Sequence, residues 1–187
     1  ISGIFYRDNY GICEICTKNR FSLAGILNKC YRKSFAQSLI VQLSFWFYRY
    51  INIFDNIDYF FVLTNFQKEK VKTLGINENR ILLKPNIVDV DMYDSRDKNG
   101  YIYVGRFENS KGIFELLKVW KQLDHNFVLT IIGGGGESEN ILRKQYQQDN
   151  IIFKGFLSRQ ETLEYISRSK FLIQASLLYE TFGLTIV

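Results

Sequence analysis

Two cations stand on one short segment with a glycine at each end, Gly105-Arg106-Phe107-Glu108-Asn109-Ser110-Lys111-Gly112. A guanidinium fork and an ammonium that converge beside a helix amino terminus can hold phosphate oxygens, because the first backbone N–H groups of the helix point at the same place. Without an anion, cations at a helix start oppose the macrodipole. A solvated charged loop is the plain alternative, and the flanking glycines favour the anion. The segment is no Walker A loop, since Ser110, Lys111 and Gly112 stand in the wrong order. Gly133 to Gly136, before Glu137, form a run without β-carbons where backbone can approach a ligand. The Rossmann fingerprint is not met, because Ser138 stands where the third glycine belongs, and a flexible connector is an equal alternative. Phe156 and Leu157 offer an aromatic and an aliphatic rim that could flank a base, with buried packing as the alternative. In Tyr179-Glu180-Thr181-Phe182-Gly183-Leu184 a carboxylate can accept hydrogen bonds from sugar hydroxyls while helix N–H groups opening after Gly183 hold an oxyanion. A surface Glu is the plainer reading there.

Positioning such groups requires strands that end at these loops. Tyr101–Val104, Phe127–Ile132, Ile151–Phe153 and Lys170–Gln174 read as strands, separated by helices over 112–122, 137–147 and 158–168, the last capped by Ser158. Strands joined by single helices pair in parallel through right-handed crossovers, so residues 101–187 are expected to form a doubly wound parallel α/β sheet, with ligands at the carboxyl ends of its strands. Upstream, Ser34 precedes an apolar helix to Tyr50, Tyr59–Leu63 and Ile81–Leu83 read as short strands, and Asn65–Leu74 reads as a helix stopped by Gly75. The only proline, Pro85, marks a change of character. The expected organisation is a first domain over 1–90, a polar linker over 91–100 and a second domain over 101–187.

Composition narrows the function classes. Hydrophobic residues make up 47% and aromatics 16% of 187 residues, which excludes a disordered chain. The net charge of +5 suits phosphate-bearing or acidic partners and is too dispersed for nucleic acid. Three cysteines and no leader pattern point to a reducing, cytoplasmic setting. The apolar stretch from Phe35 to Phe54 is broken by polar residues and falls short of a spanning helix. The chain opens on Ile1 and stops at Val187 inside an unfinished motif, and so reads as a fragment.

"VGRFENSKG" (104–112), "LTIIGGGGE" (129–137), "IIFKGFLSRQETLEYI" (151–166) and "QASLLYETFGLTIV" (174–187) together resemble the donor half of retaining glycosyltransferases of family 4, which have the GT-B architecture of two facing Rossmann-like domains. "VLTNFQKEKV" and "KPNIVD" look like the end of that family's first domain and its interdomain crossing, and "GICEIC" with "KCYRKSFAQS" looks like a lineage within it. The resemblance implies a GT-B-like α/β fold, with the tail of the first domain followed by a truncated donor-binding domain. It implies transfer of a sugar from a UDP- or GDP-linked donor to a glycan or lipid-linked acceptor, in polysaccharide or lipopolysaccharide synthesis, without a cofactor or metal. Arg106 and Lys111 would then clamp the diphosphate, Glu180 would bind donor sugar hydroxyls, and backbone around Phe182, Gly183 and Leu184 would lie near the sugar or phosphate. Gly105, Gly134, Gly135 and Phe156 would line the remaining donor pocket. The family's second Glu would follow Val187. Because acceptor site and usual histidine belong to the first domain, this piece alone is expected to bind without turning over.

Rival readings are a GT-B nucleotide-sugar epimerase, a non-catalytic nucleotide-sugar binding module, and a dinucleotide-dependent oxidoreductase, the last disfavoured by its glycine spacing. Cys13, Cys16 and Cys30 are read as reduced thiols, with a zinc knuckle short of its fourth ligand as the alternative. Asp89 and Asp91 imitate an Asp-x-Asp metal motif but fall in the linker, and His125 lies between a helix and a strand on the side away from the ligand loops. The helix over 35–50 is expected to pack in the core, with peripheral membrane contact as the alternative.

Overall fold

The structure, a computed structural model, describes residues 6–7, 11–18, 22–87, 98–134, 138–183 and 185–186. Two compact units share them. One takes in the described residues up to Ile87 together with Leu178–Gly183, and the other takes residues 98–177 with 185–186.

In the first unit a short antiparallel pair, β1 (Tyr6–Arg7) and β2 (Gly11–Ile12), precedes two single-turn helices, α1 (Ile15–Lys18) and α2 (Ala24–Leu27). Helix α3 (Phe35–Tyr50) starts where Ser34 accepts a hydrogen bond from the Gln37 N–H, the side-chain cap that the sequence signals. Strand β3 (Phe60–Val62) pairs in parallel with β4 (Ile81–Leu83) through α4 (Asn65–Lys72), which Thr64 caps in the same way. Gly75 follows α4 at φ 85°, the left-handed stop expected of it.

The described residues cover only one side of α3. Its buried residues are Ser38 and Gln42, whereas Ile40, Leu43, Phe47 and Tyr50 are exposed. Their spacing of three and four residues makes one continuous apolar stripe. Periodicity identifies such a stripe but not what lies against it.

The second unit contains β5 (Tyr101–Val104), α5 (Ile113–Trp120), β6 (Leu129–Ile132), α6 (Ser138–Tyr146), β7 (Ile151–Gly155), α7 (Arg159–Arg168) and β8 (Phe171–Leu172). All four strands are parallel, in the order β7-β6-β5-β8. Chain order therefore runs outward from β5 in one direction and then reverses to β8, so the switch point lies between β5 and β8. Tyr103, Leu129, Ile131 and Ile151 pack with Ile113, Leu117 and Trp120 of α5 and Leu142 and Tyr146 of α6 in one buried cluster. Ile102 alternates to the other face of β5 and is fully buried there, and α7 packs against the same strand. Helices thus cover both faces, as a doubly wound sheet requires. At the amino ends Tyr101 meets Trp120 edge-on and stacks on Phe171, with ring centroids 5.0 and 5.2 Å away, while Trp120 Nε1 donates to the Phe127 carbonyl at 2.8 Å.

Candidate donor site at the sheet switch point

The crossover from β5 to α5 is built by short-range constraints. After β5 the chain makes a 3-10 turn, Asn109–Lys111, and enters α5 through Gly112, which has φ 67° and provides no side-chain cap. A β-carbon on Gly112 would lie 1.9 Å from the Ala175 carbonyl oxygen, so the crossover touches the segment after β8 backbone to backbone. The Leu177 N–H donates to the Ser110 carbonyl at 2.9 Å and ties the same two segments again. Both flanks of the switch point are joined at their carboxyl ends, where ligands of such sheets bind.

Arg106 and Lys111 both stand on this crossover. The Tyr103 hydroxyl, from inside the sheet, lies 3.3 Å from both the Arg106 and the Lys111 carbonyl and shares its one proton between them, which braces the backbone that carries both cations. The Arg106 side chain is 68% exposed and pairs with Glu108 at 2.8 Å, while Lys111 is half-buried. An exposed pair of this kind is worth about 0.2–1 kcal/mol, so it costs little to separate. Phe107, between the cations, is turned into the core at 3% exposure.

The glycines after β6 serve chiefly to bring this chain's own segments together. A β-carbon on Gly133, at φ 119°, would lie 2.1 Å from the Gly105 carbonyl oxygen, and one on Gly134 would lie 2.5 Å from Glu139 and 3.1 Å from the Phe156 ring. Gly105 itself is crowded by the Tyr103 hydroxyl. Phe156 stands over Gly134 and is 72% exposed, so the alternative of buried packing does not hold for it. Arg143 joins Glu139 at 3.1 Å and donates to the Phe153 carbonyl at 3.3 Å, which anchors α6 to the end of β7.

Arg106, Lys111, Gly105, Gly134 and Phe156 therefore share the carboxyl ends of one sheet. Glu180, Phe182 and Gly183 belong to the other unit. Gly135 and Leu184 lie outside the described residues, as do Asp89 and Asp91. Of the residues after Gly183, where a helix is expected to open, Thr185 and Ile186 are described and form a turn. His125 is exposed in the turn ahead of β6, at the amino ends of the strands. Among the described residues no group of three metal-ligating side chains comes together, and Cys13, Cys16 and Cys30 are not in disulfides. Sequence reading missed Glu108 as the counter-ion of Arg106 and Tyr103 as the brace beneath the loop. Glu108, two residues from Arg106, carried a usable signal, but Tyr103 looks like any other strand residue.

The Glycosyl transferases group 1 family profile matches residues 93–187, just over half of the chain and nearly all of the unit that holds this crossover. The chain belongs to the Glycosyl transferases group 1 family. The lipopolysaccharide outer core galactosyltransferase WaaB in its apo form is similar at 26% identity over 69% of this chain and 39% of its own, with a TM-score of 0.55. A Staphylococcus aureus TarM variant in complex with fondaparinux, alpha-GlcNAc-glycerol and UDP has a TM-score of 0.59 at 19% identity, over 70% of this chain and 27% of its own. An uncharacterised 41.2 kDa protein of the cps region of Klebsiella pneumoniae is 27% identical over 60% of this chain and 34% of its own length. The chain thus spans well under half the length of these relatives. Its parallel sheets and crossovers are a partial GT-B fold.

Proposed function

We propose that this group 1 glycosyltransferase chain contributes the donor half of an enzyme that moves a sugar from a UDP- or GDP-linked donor to a glycan or lipid-linked acceptor, with retention at the anomeric carbon. The observation that carries the reading is the placement of Arg106 and Lys111 together on the crossover at the switch point, braced from below by Tyr103. When the bond from the anomeric carbon to phosphate oxygen breaks, the leaving nucleoside diphosphate gains negative charge. A guanidinium and an ammonium held there stabilise that charge more in the transition state than in the ground state. Unit charges about 4 Å apart interact by about 4 kcal/mol at an effective dielectric near 20. Phe156, exposed over Gly134, supplies a face for the base, and Glu180, by the resemblance of its motif, supplies acceptors for the sugar hydroxyls.

WaaB, by its name a lipopolysaccharide outer core galactosyltransferase, and the cps-region protein support a role in surface polysaccharide or lipopolysaccharide synthesis. In the full-length enzyme, Arg106→Ala or Lys111→Ala is expected to lower kcat for sugar transfer by roughly a hundredfold or more. Near-normal turnover of either variant would refute the clamp. Among the described residues no helix is long and apolar enough to cross a membrane. The exposed stripe of α3, with Lys29, Arg32 and Lys33 just ahead of it and no acidic residue from 15 to 54, supports peripheral contact with an anionic bilayer. Flotation of the full-length enzyme with anionic vesicles, lost in Leu43→Glu/Phe47→Glu, is the expected result. Flotation unchanged by the double substitution would exclude this surface.

A further inference from the structure

The segment that carries Glu180 is clasped by side chains of the first unit. The Tyr179 ring meets Phe66 edge-on, with centroids 4.9 Å apart and planes at 62°. Lys70 Nζ lies 4.8 Å from the Tyr179 centroid and 5.5 Å from that of Phe66. Lys70 is anchored in turn by an ion pair with Glu14, and all four residues belong to the same unit. The Glu14 hydrogen bond above all, with a further one to the Tyr179 hydroxyl, holds the Lys70 ammonium above its ordinary value, so it stays charged. Phe66 and Lys70 stand four residues apart on α4 and so present one face to the ring. Among the described residues Leu178–Gly183 has no regular secondary structure, and the Tyr179 ring is one anchor of it.

We propose that Tyr179 is a positioning residue whose ring, clasped between Phe66 and Lys70, fixes the backbone of Leu178–Gly183 and thereby places Glu180. The functional half of this statement rests on Glu180 being a ligand of the donor sugar. The effect of Tyr179 is expected on turnover of the sugar donor and not on affinity for the nucleotide alone, which the crossover clamp supplies.

The test uses the full-length enzyme as Tyr179→Ala and Tyr179→Phe. Without nucleotide, hydrogen exchange of the peptide spanning 178–183 is expected to quicken about ten-fold or more in Tyr179→Ala, with the α4 peptide unchanged. With a panel of UDP- and GDP-linked hexoses, kcat is expected to fall about ten-fold or more while UDP or GDP affinity stays within about two-fold. Tyr179→Phe keeps the ring and is expected to restore both readouts to near the unmutated values. Exchange unchanged in Tyr179→Ala, or kcat unchanged where exchange quickens, would overturn the proposal. The exchange arm needs no nucleotide, so it decides the clasp even where the unmutated enzyme binds neither UDP nor GDP, an outcome that overturns the donor reading instead.

Discussion

Gly112 joins the crossover to the segment after β8 at a single residue. Its φ of 67° penalises any side chain, and the 1.9 Å approach of a β-carbon to the Ala175 carbonyl leaves no room for a methyl group. Gly112→Ala is expected to destabilise the second unit by about 2–4 kcal/mol, the combined scale of a left-handed residue and a forced overlap. Thermal unfolding of the purified variant checks this, and a melting temperature equal to that of the parent would disprove the contact. The cations at 106 and 111 were legible because residue type and the adjoining glycines are local facts. The Glu108 pair was within reach of the same reasoning. The Tyr103 brace was not, because its effect depends on the loop folding back over the strand that carries it.

Among the elements, α7 tests local electrostatics. Ser158 Oγ accepts from the Glu161 N–H at 3.2 Å, and Glu161 Oε2 accepts from the Ser158 N–H at 2.9 Å, a reciprocal cap at the helix start. The Ser158 hydroxyl first, and its backbone N–H second, hold the Glu161 carboxyl below its ordinary range. A carboxyl lowered in the folded state adds stability above its unfolded pKa, and that stability is lost as pH falls through the folded value. The stability difference between the parent and Glu161→Gln is therefore expected to be present at neutral pH and to close in acid. A gap that widens in acid would contradict the cap. Ser158 and Ser34 were legible as caps because capping is decided within three residues. The exposure of α3 was not, since the pattern Ile40-Leu43-Phe47-Tyr50 is the same whether protein, lipid or water meets it.

For the whole molecule, strand and helix alternation after residue 100 sufficed to anticipate a parallel doubly wound sheet, because a right-handed crossover is the ordinary way to join such strands. The order β7-β6-β5-β8 was not legible, since alternation does not say on which side of β5 the fourth strand is added. That order places the switch point beside the crossover that carries Arg106 and Lys111. Nor could the sequence assign Leu178–Gly183 to the first unit, because the Tyr179 contacts reach back to residues more than a hundred positions earlier. The most direct measurement of the central claim is calorimetry of the full-length enzyme with UDP, GDP and NADH, repeated for Arg106→Ala and Lys111→Ala at low and high salt. Binding of UDP or GDP that weakens with salt and drops about ten-fold or more in either variant, with no heat from NADH, is the predicted result. Nucleotide affinity unchanged in both variants, or preferential binding of NADH, would contradict it.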